Sequence, residues 1–408
     1  MSTSDRDAGN ERIRAELDAA LRMSRRRFLR TAGAFGVTAG AFGLLAACGG
    51  GATPTPAPSK APTAAPVGGK LRFYCWEGFD GKNSEYLAKW ETDNGVERIP
   101  TYVASPDEML AKIRTEPGGV DITTTHVETY YRVWDLLEPI DTSKLPNYPK
   151  LWPALRSSRW TSFPDGKMYC VPCAWGDSPT IYDPAKWDGP PDTYMELAEA
   201  KYKGTIVSPD DVFMNFWGTS RSIGNKDPMY LTQKQLDEVV AAWKKIKPNI
   251  VALTPDAMSS IVDLMVRGDA SIAPFGGWEP MVGMAKDKGK TLAFGTPKVD
   301  QCFWWVDNFA IPKASTNKET AYAWINQAIS AQGNADIANF TASGCTCSES
   351  YDLLEDTVKG FYPFDAVKVE NPPADSPVMV SMDPPAEDEG DIVGVEKWQK
   401  AWQEAKLG

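Results

Sequence analysis

The stretch that decides the fold spans residues 303–312 and reads FWWVDNFAIP. A short run of aromatic and β-branched residues that ends at a proline predicts a buried strand rather than a helix. Successive side chains of a strand point to opposite faces, so Trp305 and Asp307 lie on the same face. A buried carboxylate is costly without a cation, hydrogen-bond donors or water beside it, so Asp307 requires a partner.

Two interpretations of this buried acid remain open from the strand alone. In the first, Asp307 forms a structural ion pair with a Lys or Arg elsewhere in the core. In the second, Asp307 lines a cleft for an organic cation. There the carboxylate neutralises the charge, and the Trp305 indole packs on the alkyl chain and makes a cation-π contact.

The composition is that of a globular protein with an acidic charge balance. A length of 408 residues predicts two domains or two lobes. The net charge is −11 although residues 1–47 contain eight Arg and only five acidic residues, so the remainder is more acidic still. This charge argues against a nucleic-acid partner and mildly favours cationic ligands.

The N-terminus has the features of an export signal. Residues 24–30 (SRRRFLR) form a twin-arginine motif, and the apolar run at 31–47 is shorter than a membrane span. Residues 45–48 (LAAC) resemble the lipobox of bacterial lipoproteins, so we expect a signal at 1–47 and lipidation of Cys48. An ordinary secretory signal with an incidental cysteine is the alternative. Residues 48–69 are rich in Gly, Ala, Pro and Thr and predict a flexible tether.

Six cysteines follow Cys48, and this number is compatible with disulfides or with packed thiols. An even count outside the cytoplasm allows up to three disulfides. Cys170 and Cys173 form a C-x-x-C sequence, but a dithiol redox site places its first Cys at a helix N-terminus. Residues 168–176 instead predict a strand, so structural disulfides or buried thiols are favoured.

Strands alternate with short helices from residue 70 onward, which predicts a parallel sheet covered on both faces. Predicted strands at 71–75, 97–103 and 120–123 are separated by helical segments. Ligands of such sheets bind at the carboxyl ends of the strands. Trp76, Glu77 and residues 124–126 follow strand ends and are candidates for this edge, although Trp76 also suits a core position.

A second α/β unit places further candidate residues. Asp210 and Asp211 follow a predicted strand at 205–207, where they suit either a ligand site or the cap of a helix that begins near Val212. Trp278 follows Gly276 and Gly277, which permit close approach of the backbone. Trp278 fits a cleft or a core equally well.

Five motifs resemble the substrate-binding proteins of ABC uptake systems, in particular the spermidine/putrescine-binding type. They are residues 73–77 (FYCWE), 171–176 (VPCAWG), 201–204 (KYKG), 247–252 (KPNIVA) and 303–312. The resemblance implies an α/β fold of two lobes joined by hinge strands, the type II periplasmic-binding-protein fold. We expect lobe 1 to comprise residues 70–170 and 310–345, and lobe 2 residues 171–309 and 346–408.

The resemblance also implies a ligand site in the cleft between the lobes. Asp211 and Asp307 would bind ammonium groups, and Trp76 and Trp305 would flank the methylene chain. Glu77 and Trp278 complete the predicted site. The family's acid after Asp211 is replaced here around residues 214–215, its tryptophan falls near residue 276, and its Ser/Tyr cleft residues correspond only loosely to residues 125–127. The expected solute is therefore a polyamine or a related organic cation.

The resemblance further implies that the protein is a monomer without a cofactor or metal, serving an ABC permease. An enzyme is disfavoured because the single histidine, His126, excludes an H-E-x-x-H site, and because no G-x-S-x-G or phosphate-binding loop is present. A redox lipoprotein with a bound chromophore is one alternative. A ferric-ion receptor is another, since Tyr130 and Tyr131 form a tyrosine pair, although neighbours on a helix diverge by about 100°.

Overall fold

A computed structural model describes residues 66–407 except 104–105, 157–160, 162, 164, 257, 371 and 373–382. The predicted signal, Cys48 and residues 49–65 of the tether lie outside the described residues. Among the described residues, each helix is too short or too polar to span a bilayer.

The first of two sheets has six strands and contains the decisive stretch. Its order is β11 (Gly344–Cys345), β4 (Cys170–Asp177), β10 (Trp304–Ala310), β3 (Ile122–His126), β1 (Gly69–Cys75) and β2 (Val96–Tyr102). Strand β1 is parallel to β2 and β3, whereas β10 is antiparallel to β3 and β4. The predicted strand at 303–312 is confirmed, and it lies in the interior of the sheet.

The second sheet has five strands. Their order is β7 (Ile250–Thr254), β6 (Ile206–Pro209), β8 (Ile272–Ala273), β5 (Thr180–Tyr182) and β9 (Ala293–Gly295). Strand β6 is parallel to β7 and β8, and β5 is antiparallel to β8 and β9. Strand β4 leads directly into β5, and β9 leads back into β10, so these connections join the two sheets.

Helices pack around both sheets. They are α1 (Glu85–Asn94), α2 (Pro106–Thr115), α3 (Val127–Tyr131), α4 (Val212–Ser222), α5 (Gln233–Ile246), α6 (Ser259–Arg267), α7 (Pro280–Asp287), α8 (Lys318–Ala328), α9 (Ala331–Thr341), α10 (Asp356–Phe361) and α11 (Val395–Leu407). Local sequence explains several ends: Thr232 and Gln235 form a capping box at α5, and Gly95 ends α1 in the left-handed conformation. Helices α8 and α9 are separated at Ser330, whose side chain caps α9.

The core of the first sheet lies on both of its faces. Trp175 stacks on Trp304 with ring centroids 5.0 Å apart, and Phe309 meets Trp324 edge to face on the other side. Residues 354–367, which we expected in lobe 2, pack in the Trp175 cluster, whereas α11 packs against α4 and α5 of the second sheet. We therefore propose that lobe 1 extends to residue 367, and the other lobe limits stay predictions.

None of the six cysteines of the described part forms a disulfide, and all six are buried thiols. Cys170 and Cys173 belong to different core clusters on opposite faces of the first sheet. Burial raises the pKa of both thiols well above the usual range. A high pKa suppresses the thiolate, so packed thiols are the interpretation that the structure supports.

Candidate functional site

A cavity of about 690 Å³ is lined by residues of the first sheet and by segments that follow strands of the second sheet. Five of the six predicted site residues line it: Trp76, Glu77, Trp278, Trp305 and Asp307. Trp76 and Glu77 directly follow β1, Trp305 and Asp307 lie on β10, and Trp278 follows β8. The strand period therefore brought Trp305 and Asp307 to one wall, as the sequence predicted.

Trp305 is held in the wall by a glycine on the neighbouring strand. Gly176 on β4 is the cross-strand partner of Trp305. A Cβ atom at Gly176 would lie 2.4 Å from Cζ2 of the Trp305 indole. Only glycine leaves room for the ring in this position.

We therefore expect Gly176→Ala to displace the Trp305 indole. Overpacking of this kind destabilises a fold by about 1–3 kcal/mol. The change should also weaken ligand binding by roughly tenfold, because the indole would no longer lie along the cavity. Thermal unfolding and a binding titration would measure both effects. The matched control is Gly283→Ala, because nothing lies near the Cβ position of Gly283. Gly166→Ala is unsuitable because a φ of +77° would strain an alanine. An unaltered affinity in Gly176→Ala would contradict the role of Trp305.

The partner of Asp307 is the only histidine of the chain. Asp307 and His126 are cross-strand neighbours on β10 and β3, and His126 Nδ1 lies 2.9 Å from Oδ1 of Asp307. Trp76 Nε1 also donates to Oδ1, at 3.4 Å. Among the described residues, no Lys or Arg forms an ion pair with Asp307, so the internal cation expected under the first interpretation is an imidazolium instead.

Electrostatics keep His126 protonated. Burial lowers the pKa of His126, but the charge of Asp307 and its hydrogen bond outweigh burial, and Asp383 and Glu128 contribute in the same direction, so the pKa rises to about 9. Asp383 is itself perturbed: burial and the charge of Glu128 raise its pKa to about 7. His126 is therefore a cation at neutral pH, and Asp383 and Glu128 favour its charge together with Asp307.

Asp211 does not line the cavity, and this departs from the prediction. Its Oδ1 accepts a hydrogen bond from Met214 N at 2.8 Å, so it is the N-cap of α4. The neighbouring Asp210 accepts from Trp402 Nε1 at 2.7 Å and pairs with Lys406. Asp211 performs the capping role that the sequence had offered as the alternative, whereas Asp210 contacts α11 instead.

Glu77 lies at the exposed rim of the cavity. Its side chain is 64% exposed and pairs with Lys82. An exposed pair of this kind contributes little stability, because solvent screens it. A ligand can therefore reach the Glu77 carboxylate at the cavity entrance, but Lys82 already balances its charge.

Both members of the tyrosine pair pack in the first lobe, and Tyr131 is half-buried against Phe163. Tyr130 is fully buried, and its hydroxyl contacts Thr123 Oγ1 at 2.8 Å and donates to the Asn308 carbonyl at 3.1 Å. This is the packing role that we expected for it. Among the described residues, no cluster of three or more His, Cys, Asp or Glu side chains could hold a metal ion.

Comparisons with known proteins agree with this architecture. The family model described as bacterial extracellular solute-binding protein matches residues 85–360. The spermidine/putrescine-binding periplasmic protein of Escherichia coli is 26% identical over 271 residues, which cover 63% of this chain and 71% of that protein. A putrescine/cadaverine-binding protein of Pseudomonas aeruginosa is 23% identical over 317 residues, covering 71% and 83%.

Solved structures show the same fold. The spermidine/putrescine ABC transporter substrate-binding protein of Streptococcus pneumoniae gives a TM-score of 0.65 at 22% identity, covering 83% of this chain and 97% of that one. A lipoprotein of Treponema pallidum gives a TM-score of 0.60 at 18% identity, covering 83% and 100%. The predicted type II periplasmic-binding-protein fold is confirmed.

Proposed function

The chain belongs to the family of bacterial extracellular solute-binding proteins, and we propose that it captures a polyamine or related organic cation for an ABC permease. The family implies an extracytoplasmic location. Anchoring through a lipid on Cys48 and tethering by residues 48–69 are part of the proposal. Binding between two lobes that close by a hinge would present the loaded form to the permease.

The observation that carries the proposal is the indole-lined carboxylate. Trp76 and Trp305 line the same cavity as Asp307, which is 4% exposed. The faces of two indoles attract a cation and also cover the hydrocarbon beside it. A buried carboxylate supplies the charge-assisted hydrogen bond that fixes the cation's orientation. Similarity to proteins named for binding spermidine, putrescine and cadaverine supports the same ligand class.

A thermal-shift screen tests the ligand class. We expect amines to raise the unfolding temperature of the purified chain, because a ligand at 100 times its Kd stabilises the folded state by about 2.7 kcal/mol. Amino acids, sugars and ferric citrate are the comparison compounds. Stabilisation by ferric citrate alone would favour the ferric-ion alternative, and an absorbance spectrum with a bound chromophore would favour a redox lipoprotein.

A further inference from the structure

The charges in the cavity wall are already paired within the protein. In the described part of the wall, Glu77 and Asp307 are the acids and His126 is the cation. Glu77 pairs with Lys82 at the rim, and Asp307 pairs with His126 deeper in the cavity. The described lining residues therefore carry little net negative charge to offer a ligand with several positive charges, and the further acids that act on His126, Glu128 and Asp383, lie outside this lining.

The two oxygens of the Asp307 carboxylate differ in their contacts: Oδ1 contacts protein groups, and Oδ2 can accept a hydrogen bond from a ligand. His126 Nδ1 and Trp76 Nε1 both contact Oδ1. No contact to Oδ2 is present among the described residues, and Oδ2 is not among their buried unpaired atoms. One carboxylate oxygen can thus accept one hydrogen-bonded ammonium group beside the imidazolium.

Among the described lining residues, a second ammonium group has no acid comparable with Asp307. Asp211, which the family resemblance assigned to this role, caps α4 and does not line the cavity. The rest of the wall is rich in carbon and sulfur: Phe79, Met214, Met258, Phe303 and Phe340 all contribute to it. Placing an unpaired charge against such a surface is costly, whereas an alkyl or aryl group gains from its burial.

We infer that the cavity selects an organic cation with a single charged group and an apolar body, and that His126 determines this specificity. This inference depends on the proposed function. The imidazolium already neutralises part of the Asp307 charge. The carboxylate therefore stabilises a second ammonium group of a ligand less than an unpaired carboxylate would. The ligand's one ammonium binds Oδ2 of Asp307 between the indoles, and its apolar part contacts the Met and Phe side chains.

A matched pair of ligands tests the inference. Hexylamine and hexane-1,6-diamine have the same chain and differ by one ammonium group. We expect calorimetry at pH 7 to give at least tenfold tighter binding of hexylamine by the wild-type protein. In His126→Asn the preference should shrink at least tenfold, because Asp307 then lacks its internal cation. Asp263→Asn removes an exposed acid of α6 that pairs with Lys288, and it should leave the wild-type preference intact.

Each outcome of the experiment is decisive. Tighter binding of the diamine by the wild-type protein would overturn the inference and leave the proposed function standing. An unchanged preference in His126→Asn would overturn the role of His126. Binding of neither amine would instead contradict the proposed function. The wild-type comparison needs no variant, so it holds even if His126→Asn fails to fold, and His126→Gln provides a second neutral replacement.

Discussion

Replacement of Asp307 by asparagine is expected to weaken the binding of an organic cation by roughly 30- to 3,000-fold. Removing one partner of a buried, hydrogen-bonded charge pair costs about 2–5 kcal/mol, and about 1.4 kcal/mol corresponds to a factor of ten in Kd. Asp307 is 4% exposed, so solvent cannot substitute for it. A further loss is expected because His126 would remain near the bound cation without its partner carboxylate.

The asparagine variant is chosen to separate binding from folding. The Asn side chain keeps the shape of Asp307, and its oxygen can still accept the hydrogen bond from Trp76 Nε1. Circular dichroism and thermal unfolding should show a folded protein, and calorimetry with the tightest amine from the screen should show the loss. Asp263→Asn makes the same chemical change at an exposed pair and should bind normally. Equal affinities of the wild type and Asp307→Asn would remove Asp307 from the site.

The strand period explains why part of the site could be predicted. Trp305 and Asp307 are two residues apart on β10, and that spacing alone places both side chains on one face of the sheet. Trp76 and Glu77 were predicted from their position after the carboxyl end of β1. Both inferences need only the alternation of side chains along a strand and the position of its C-terminal end, and the sequence pattern gives both.

The pairing of Asp307 with His126 could not be predicted in the same way. It depends on the antiparallel register of β10 and β3, which are separated by 177 residues between the end of one strand and the start of the other. Register is set by side-chain packing and by the connections of the whole fold. The one available signal was that His126 closely follows the strand predicted at 120–123, which placed it at the correct edge but did not identify its partner.

Asp211 is the predicted site residue that lies outside the lining of the cavity. Its position after β6 satisfied the rule for ligand sites of α/β sheets, and the family resemblance favoured it. An acid directly before a helix also satisfies the local requirement of an N-cap. In the structure the local hydrogen bond to Met214 N is the one formed. The sequence alone allows Asp211 to be a ligand-binding residue or an N-cap. Only the direction of its side chain distinguishes the two roles.

The second large effect concerns pH. The folded pKa of His126, about 9, lies above its ordinary value of 6.5. Below about pH 6.5 the histidine is protonated in both the folded and the unfolded chain, and the stabilising contribution of the ion pair is fully present. Between about 6.5 and 9 only the folded state retains the proton, so the free energy of unfolding decreases as the pH rises. A difference of this size between the two pKa values corresponds to about 3 kcal/mol.

Comparison of the wild type with His126→Asn isolates this contribution. Urea unfolding at pH 6, 7.5 and 9.5 should show that the wild type loses about 3 kcal/mol more than the variant over that range. Groups remote from His126 titrate equally in both proteins and cancel in the difference. Asp383 and Glu128 are close enough to interact with His126, and Arg132 acts on Asp383. An NMR titration of the His126 imidazole should therefore accompany the unfolding data. Two results would contradict this account: an imidazole titration with a midpoint near pH 6.5, and unfolding free energies of the two proteins that change in parallel with pH. They would show that Asp307 does not keep His126 protonated and that the two side chains interact with a ligand independently.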